Sequence, residues 1–356
     1  MTNYFVGVQA SACSFLDTIN RELQRTVWIF SPKEKLWKLC TIIAMCICFG
    51  SLYAADAGLS GTPAQPNFSP DSKYADNVRG YQGSPSIERA TNGRLWAAWY
   101  GDGAIPGDNM HNFAMDAEDS CSADPAWSKP RRISEGVILN KPTVLANGDW
   151  LAPVRNWRDE LSSKVLCSKD NGERWKTIGS PVIPAKEDRN RNESMIVGLK
   201  DGSLWMLVRT KYGIGESISK DGGKTWSDLK PSGIPHAESR FFIRCLKSGR
   251  ILLVRHNAPD IIARSHLNAF LSDDEGHTWN KGLMIDERGV SYPDGVEGPD
   301  GEIRIIYDHM RTDNGQILMS VFSEKDVEKG EFSPSARQRI LVNQATGDNP
   351  YNSKGK

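Results

Sequence analysis

Ser272-Asp-Asp274-Glu-Gly276-His-Thr278-Trp279 is the third statement of one theme. Ser168-Lys-Asp170-Asn-Gly172-Glu-Arg-Trp175 and Ser219-Lys-Asp221-Gly-Gly223-Lys-Thr225-Trp226 precede it, with the tryptophans 51 and 53 residues apart. A repeat of that period means supersecondary units stacked in a row or set around an axis. Within each unit the pattern suits a tight turn. The aspartate can accept backbone N–H groups of the turn, the glycine tolerates a positive φ, and the tryptophan lays its apolar face beneath. A calcium loop would need alternating acids and a closing glutamate, which none of the three carries. The boxes therefore mark blades and do no chemistry.

A second repeat runs in step with the first. Asn92-Gly93, Asn147-Gly148, Asp201-Gly202, Ser248-Gly249 and Asp300-Gly301 each separate two apolar runs, a strong hairpin signal. Flanks such as Ser203 to Val208 and Ile251 to Val254 read as strands buried on both faces. A degenerate turn from Asp116 to Trp127 adds one more unit. The sequence therefore predicts an all-β fold, a six-bladed β-propeller with Asp-box turns, as one domain over 58–356. The count comes from dividing the chain after Ala57 by ~50 residues per blade. The last blade is expected to be closed by strands from both ends of that domain.

Composition agrees. The chain has 356 residues, 39% hydrophobic, with 44 basic and 44 acidic side chains. That suits a soluble globular protein with a sizeable core. With no net charge and no basic cluster interleaved with aromatics, nucleic acid is excluded as a partner.

Residues 1–57 stand apart. Lys33, Lys35 and Lys38 precede a mostly apolar run, Leu39 to Tyr53, and then Ala55-Asp-Ala57. A basic region, short apolar core and Ala-x-Ala predict a secretory signal peptide, hence a secreted or periplasmic protein. The run is short for a membrane span, so no stable span is expected after cleavage. Residues 1–32 exceed an ordinary leader and read as an over-extended start. Cys121, Cys167 and Cys245 remain beyond it, too few and too scattered for a disulfide framework, and are expected as buried free thiols. Zinc-type spacings are absent; no cofactor or metal is expected.

Asp-boxes on a propeller of this size resemble the sialidase (neuraminidase) superfamily of BNR repeat proteins, over roughly residues 75–325. Sialidases carry an Asn-Glu pair opening a blade, a strand–turn–strand, and then an arginine; Asn192-Glu193 to Arg209 is similar. A further arginine precedes the late Asp-box, as Arg264 does here. The nucleophilic tyrosine follows that box, as Tyr292 does before Ile305-Ile-Tyr307-Asp308. The resemblance implies Tyr292 as nucleophile, Glu193 as its base, and Arg209 and Arg264 as anion binders. Sialidases are the retaining glycosidases that use tyrosine. A phenol escapes the repulsion that a carboxylate nucleophile would meet from the substrate's own carboxylate, and a glutamate can take its proton. Arginines hold such a carboxylate by bidentate, charge-assisted bonds. The plain alternatives are a rim tyrosine and a structural Glu193–Arg209 ion pair.

One element of the pattern is missing. The family's first arginine stands in an Arg-Ile-Pro motif, and the matching place reads Gly83-Ser84-Pro85. Arg79, four residues upstream, and Arg240, at another blade opening, are the reserve cations. Asp108 is the implied acid/base, with Asp102 second and His111 as a further possible acid or base. His256, His309, Asp294 and Glu297 could face the same centre; His236 and His266 carry no assignment. Three functions follow: a secreted exo-glycosidase of sialidase type taking sialic acid or a related acidic sugar; a propeller acting by hydrolysis or elimination on a uronic acid- or rhamnose-bearing polysaccharide; and a non-catalytic glycan-binding propeller.

Overall fold

The structure is a computed structural model. It describes residues 77, 82–89, 95–101, 111–114, 131–135, 138, 141–155, 163–180, 186–188, 193–260, 262–311 and 315–347. The leader, its apolar run, the Asp116 to Trp127 turn and Cys121 lie outside them.

Every sheet is antiparallel. Four are four-stranded blades. The first holds β5 (Thr143–Val144), β6 (Trp150–Arg155), β7 (Ser163–Ser168) and β8 (Lys176–Gly179) in order; two-stranded sheets precede it, β1 (Gln82–Arg89) with β2 (Leu95–Gly101), and β3 (His111–Ala114) with β4 (Arg131–Glu135). The second holds β9 (Ser194–Gly198), β10 (Leu204–Thr210), β11 (Gly213–Ser219) and β12 (Lys230–Pro231). The third holds β13 (Phe242–Cys245), β14 (Ile251–His256), β15 (Leu267–Ser272) and β16 (Leu283–Asp286). The fourth holds β17 (Val290–Glu297), β18 (Ile303–His309), β19 (Gln316–Phe322) and β20 (Arg337–Gln344), with a short helix α1 (Glu324–Lys329) before its last strand.

The described residues thus hold four complete blades rather than the six that chain length predicts, and the division by length drew on segments outside them. The last blade is also built from one continuous stretch, not from both ends. Consecutive strands joined by short connections close small loops, which costs less chain entropy than recruiting a distant strand. Instead β1 docks beside β17: Ser86 Oγ and Ile87 N donate to Asp294 Oδ2 at 2.8 and 2.9 Å, and Ser84 N to Asp308 Oδ2 at 2.9 Å.

The apolar runs do what their composition predicts. Every residue of β10 and β14 is buried, because the second strand of a blade is covered by neighbouring blades on both faces. Leu207, Leu253, Leu267 and Ile305 are fully buried in the main core, each contributing roughly 1.5–3 kcal/mol. Cys167 is a buried free thiol, but Cys245 is exposed: it ends β13, where the edge of the blade meets solvent, which corrects the expectation for it.

The Asp-boxes join the third and fourth strands of three blades. Asp221 Oδ1 accepts the N–H of Lys224 and Thr225 at 3.1 and 2.9 Å, Ser219 Oγ accepts Gly223 N, and Trp226 Nε1 donates to Gly223 O at 2.9 Å. The N–H and hydroxyl of Thr225, with the Ser219 hydroxyl and the Lys224 N–H, hold the Asp221 carboxyl down at about 2. The third box also grips the neighbouring blade. Gly276 lies at φ 92°, and a Cβ there would stand 2.5 Å from the Trp205 ring. Gly276→Ala is therefore expected to cost about 2–4 kcal/mol, from left-handed strain together with overpacking, read as a lower midpoint in urea unfolding.

Candidate active site

The second strands end at the face opposite the boxes. β6, β10, β14 and β18 deliver Arg155, Arg209, Arg255-His256 and Asp308 there. Glu193 sits across the ladder from Arg209, whose N–H donates to the Glu193 carbonyl at 2.8 Å. Tyr292 reaches the same place from β17 by a bulge. Ser291 pairs with Asp308 and Asp294 with Ile306, so two residues, Tyr292 and Pro293, oppose one. Tyr292 has φ 54°, a left-handed conformation that a bulky residue adopts only when its surroundings enforce it. The bulge turns the phenol out of the ladder.

Four of the residues singled out from sequence converge here. The Tyr292 hydroxyl donates to Glu193 Oε1 at 3.3 Å. Arg209 Nη1 donates to Glu193 Oε2 at 3.0 Å and to Tyr292 Oη at 3.4 Å. Arg209 Nη2 and Arg264 Nη2 both donate to the Glu238 carbonyl, at 3.1 and 2.9 Å, which sets the two guanidinium groups side by side. Burial, with Glu193 4% exposed, pushes its carboxyl up, but Arg209, Arg155 and Arg240 outweigh this and bring it below its ordinary value. Burial lowers Arg264, and repulsion from Arg209 and Arg311 adds to that.

Other assigned residues have further partners. Arg240 pairs with buried Asp294 at 3.7 Å, and Glu297 accepts Lys247 N at 2.8 Å. Asp294 ties the blades together: besides β1 it accepts Lys141 Nζ at 2.8 Å. His309 Nδ1 lies 3.0 Å from Gln316 Oε1, and His266 Nδ1 the same distance from Ser265 Oγ. Arg79, Asp102 and Asp108 lie outside the described residues; His111 opens β3, its backbone opposite Glu135.

Sequence reasoning missed Arg155 and Arg311. Arg155 is buried at the end of β6, and its charge lowers Glu193. Arg155 and Arg209 occupy one position of the repeat, counted from the residues paired with Ser168 and Ser219, so aligning the hairpins would have found it. Arg255 stands one residue before that position, which His256 holds in the third blade. Its guanidinium lies over Phe270, 4.4 Å from the ring centre, and burial brings it down to about 10.

His256 and His236 stack behind the site with ring centres 5.4 Å apart. His256 Nε2 is 2.8 Å from the Val290 carbonyl, just before the bulge. Burial lowers His256 to about 4, with the nearby Arg264, Arg255 and Arg311 acting in the same sense. The unfolded chain therefore takes up this proton first as pH falls. The contribution is whole above about pH 6.5 and is lost between there and about pH 4, roughly 2–3 kcal/mol. Urea midpoints at pH 7 and 4.5 should differ more for the wild type than for His256→Gln by that amount.

Antiparallel blades around a paired tyrosine and glutamate, with arginines beside them, define a propeller of the sialidase type. The chain belongs to the BNR repeat-like domain family, which matches residues 68–305. It is 26% identical over 206 residues to an anhydrosialidase of Macrobdella decora, covering 52% of this chain and 26% of that protein. It is also 26% identical over 242 residues to a sialidase of Bacteroides fragilis (strain YCH46), covering 58% of this chain and 43% of that one. The chain thus spans under half the length of these relatives. A solved α-L-arabinanase of Penicillium chrysogenum, complexed with arabinobiose, is 15% identical, with a TM-score of 0.41 over 56% of this chain and 65% of that chain. Among the described residues no helix is long and apolar enough to cross a membrane, and no group of His, Cys, Asp and Glu is placed to hold a metal ion.

Proposed function

We propose that this protein is a retaining exo-glycosidase that removes a terminal acidic sugar, sialic acid or a relative, from glycans. The observation that carries the reading is the contact of the Tyr292 hydroxyl with the Glu193 carboxylate, with Arg209 bonded to both. Glu193 takes the phenol proton as Tyr292 Oη attacks the anomeric carbon; the glycosidic bond breaks with its electron pair leaving on the aglycone oxygen. Asp108, from the segment between β2 and β3, protonates that oxygen and then activates the water that releases the sugar from Tyr292. A base must be ionised to act, and the arginines keep Glu193 so. Arg264 and Arg209 supply the charge that binds the substrate's carboxylate. The predicted leader places the enzyme outside the cytoplasm.

The test is release of fluorophore from 4-methylumbelliferyl α-N-acetylneuraminide, beside the β-glucuronide and a neutral glucoside. Turnover of an acidic substrate, with the first sugar product formed in the anomeric configuration of the substrate, supports the reading. Turnover of the neutral glycoside alone, or an inverted first product, overturns it.

A further inference from the structure

We propose that Arg311 is a third anion-binding arginine of this site, carried by the loop after β18 into the space that Gly83 leaves open. The inference rests on the acidic-sugar reading and names the residue that completes it. Glycine stands where the family motif has arginine, so position 83 extends no side chain toward the site. A Cβ at that position would lie 2.9 Å from Asp308 Oδ2 and 3.4 and 3.5 Å from Arg311 Cβ and Cδ. The stem of Arg311 therefore fills the volume a side chain from β1 would need.

Its head group is aimed by two contacts. Arg311 Nη2 donates to Asp308 Oδ1 at 3.2 Å, and Asp308 Oδ2 is itself fixed by the N–H of Ser84. The guanidinium carbon lies 4.2 Å from the centre of the Tyr292 ring, a cation–π distance. Three guanidinium groups thus surround one phenol: Arg209 at its hydroxyl, Arg264 beside Arg209, and Arg311 over its face. The side chain of Arg311 is 17% exposed, against 3% for Arg209, so it is the more open of the two to a ligand. Glu193 is engaged by Arg209, and Asp308 has its carboxyl pushed up by burial, against the pull of Arg311 and Arg264.

Binding of N-acetylneuraminic acid and of its methyl ester to the full chain, by titration calorimetry, tests this on the wild type, Arg311→Met and Arg311→Lys. Methionine keeps an unbranched stem against Gly83 and removes the charge; thermal melts confirm that the variants are folded. The wild type should prefer the acid by about tenfold or more, the scale of a charge-assisted bond, with that preference falling about tenfold in Arg311→Met and in part recovered in Arg311→Lys. An unchanged preference in Arg311→Met would overturn the inference while leaving the acidic-sugar reading in place. Equal binding of acid and ester by the wild type would remove both.

Discussion

Tyr292→Phe is expected to lower kcat on 4-methylumbelliferyl α-N-acetylneuraminide by on the order of 10³-fold or more, as loss of a catalytic nucleophile does. The variant should fold. Among the described residues the hydroxyl makes two hydrogen bonds, at 3.3 and 3.4 Å. Phenylalanine carries the same steric load at φ 54° as tyrosine, so the strain of the bulge is unchanged. The ring stays under Arg311, so the wall of the site survives and KM should move little. Far-UV dichroism and a thermal melt beside the kinetics separate lost chemistry from lost structure. A Tyr292→Phe enzyme retaining a tenth of wild-type turnover would remove Tyr292 from the reaction.

Asp294→Ala is expected to cost about 3–5 kcal/mol, the scale for removing one partner of a buried charge pair. That corresponds to a melting point lower by roughly 10 °C. Asp294 is 1% exposed and joins β1, Lys141 and Arg240 to β17. Burial raises its carboxyl, and Lys141 and Arg240 more than reverse that. Its folded value is thus depressed, and the stability it gives is present above the ordinary aspartate range and lost as pH falls through the folded value. Alanine leaves Lys141 and Arg240 without this counter-charge and the Ile87 N–H without its acceptor. Asp294→Asn keeps an acceptor and should lose less. Equal melting points for wild type and Asp294→Ala would contradict the role.

The repeat was legible because turns are local. Ser, Asp, Gly and Trp at fixed offsets satisfy one another within eight residues, so their order in the chain is their order in space. The Glu193, Arg209 and Tyr292 cluster was legible only through resemblance to a family, since 99 residues separate Tyr292 from Glu193. Asp294 was ambiguous for a related reason. An acid two residues past Tyr292 could face the same centre, and only tertiary contacts with Lys141 and Arg240 reveal a brace. Arg311 left no motif to read. It takes over a volume vacated by Gly83, and such an exchange between distant segments becomes visible only when β1 is seen beside β18. The blade count came from length alone: the described residues hold four complete blades and two two-stranded sheets, and much of the divided length lies outside them.

In the proposed reaction Tyr292 attacks an acidic sugar with Glu193 as base. A fluorinated acidic sugar, 2,3-difluoro-N-acetylneuraminic acid, slows release of a glycosyl-enzyme and lets it accumulate. Incubation with the full chain, proteolysis and mass spectrometry would locate the sugar. One adduct is expected on the peptide holding Tyr292, absent in Tyr292→Phe and strongly slowed in Glu193→Gln. An adduct on another residue, or no adduct in an enzyme that turns over the fluorogenic sialoside, would contradict it.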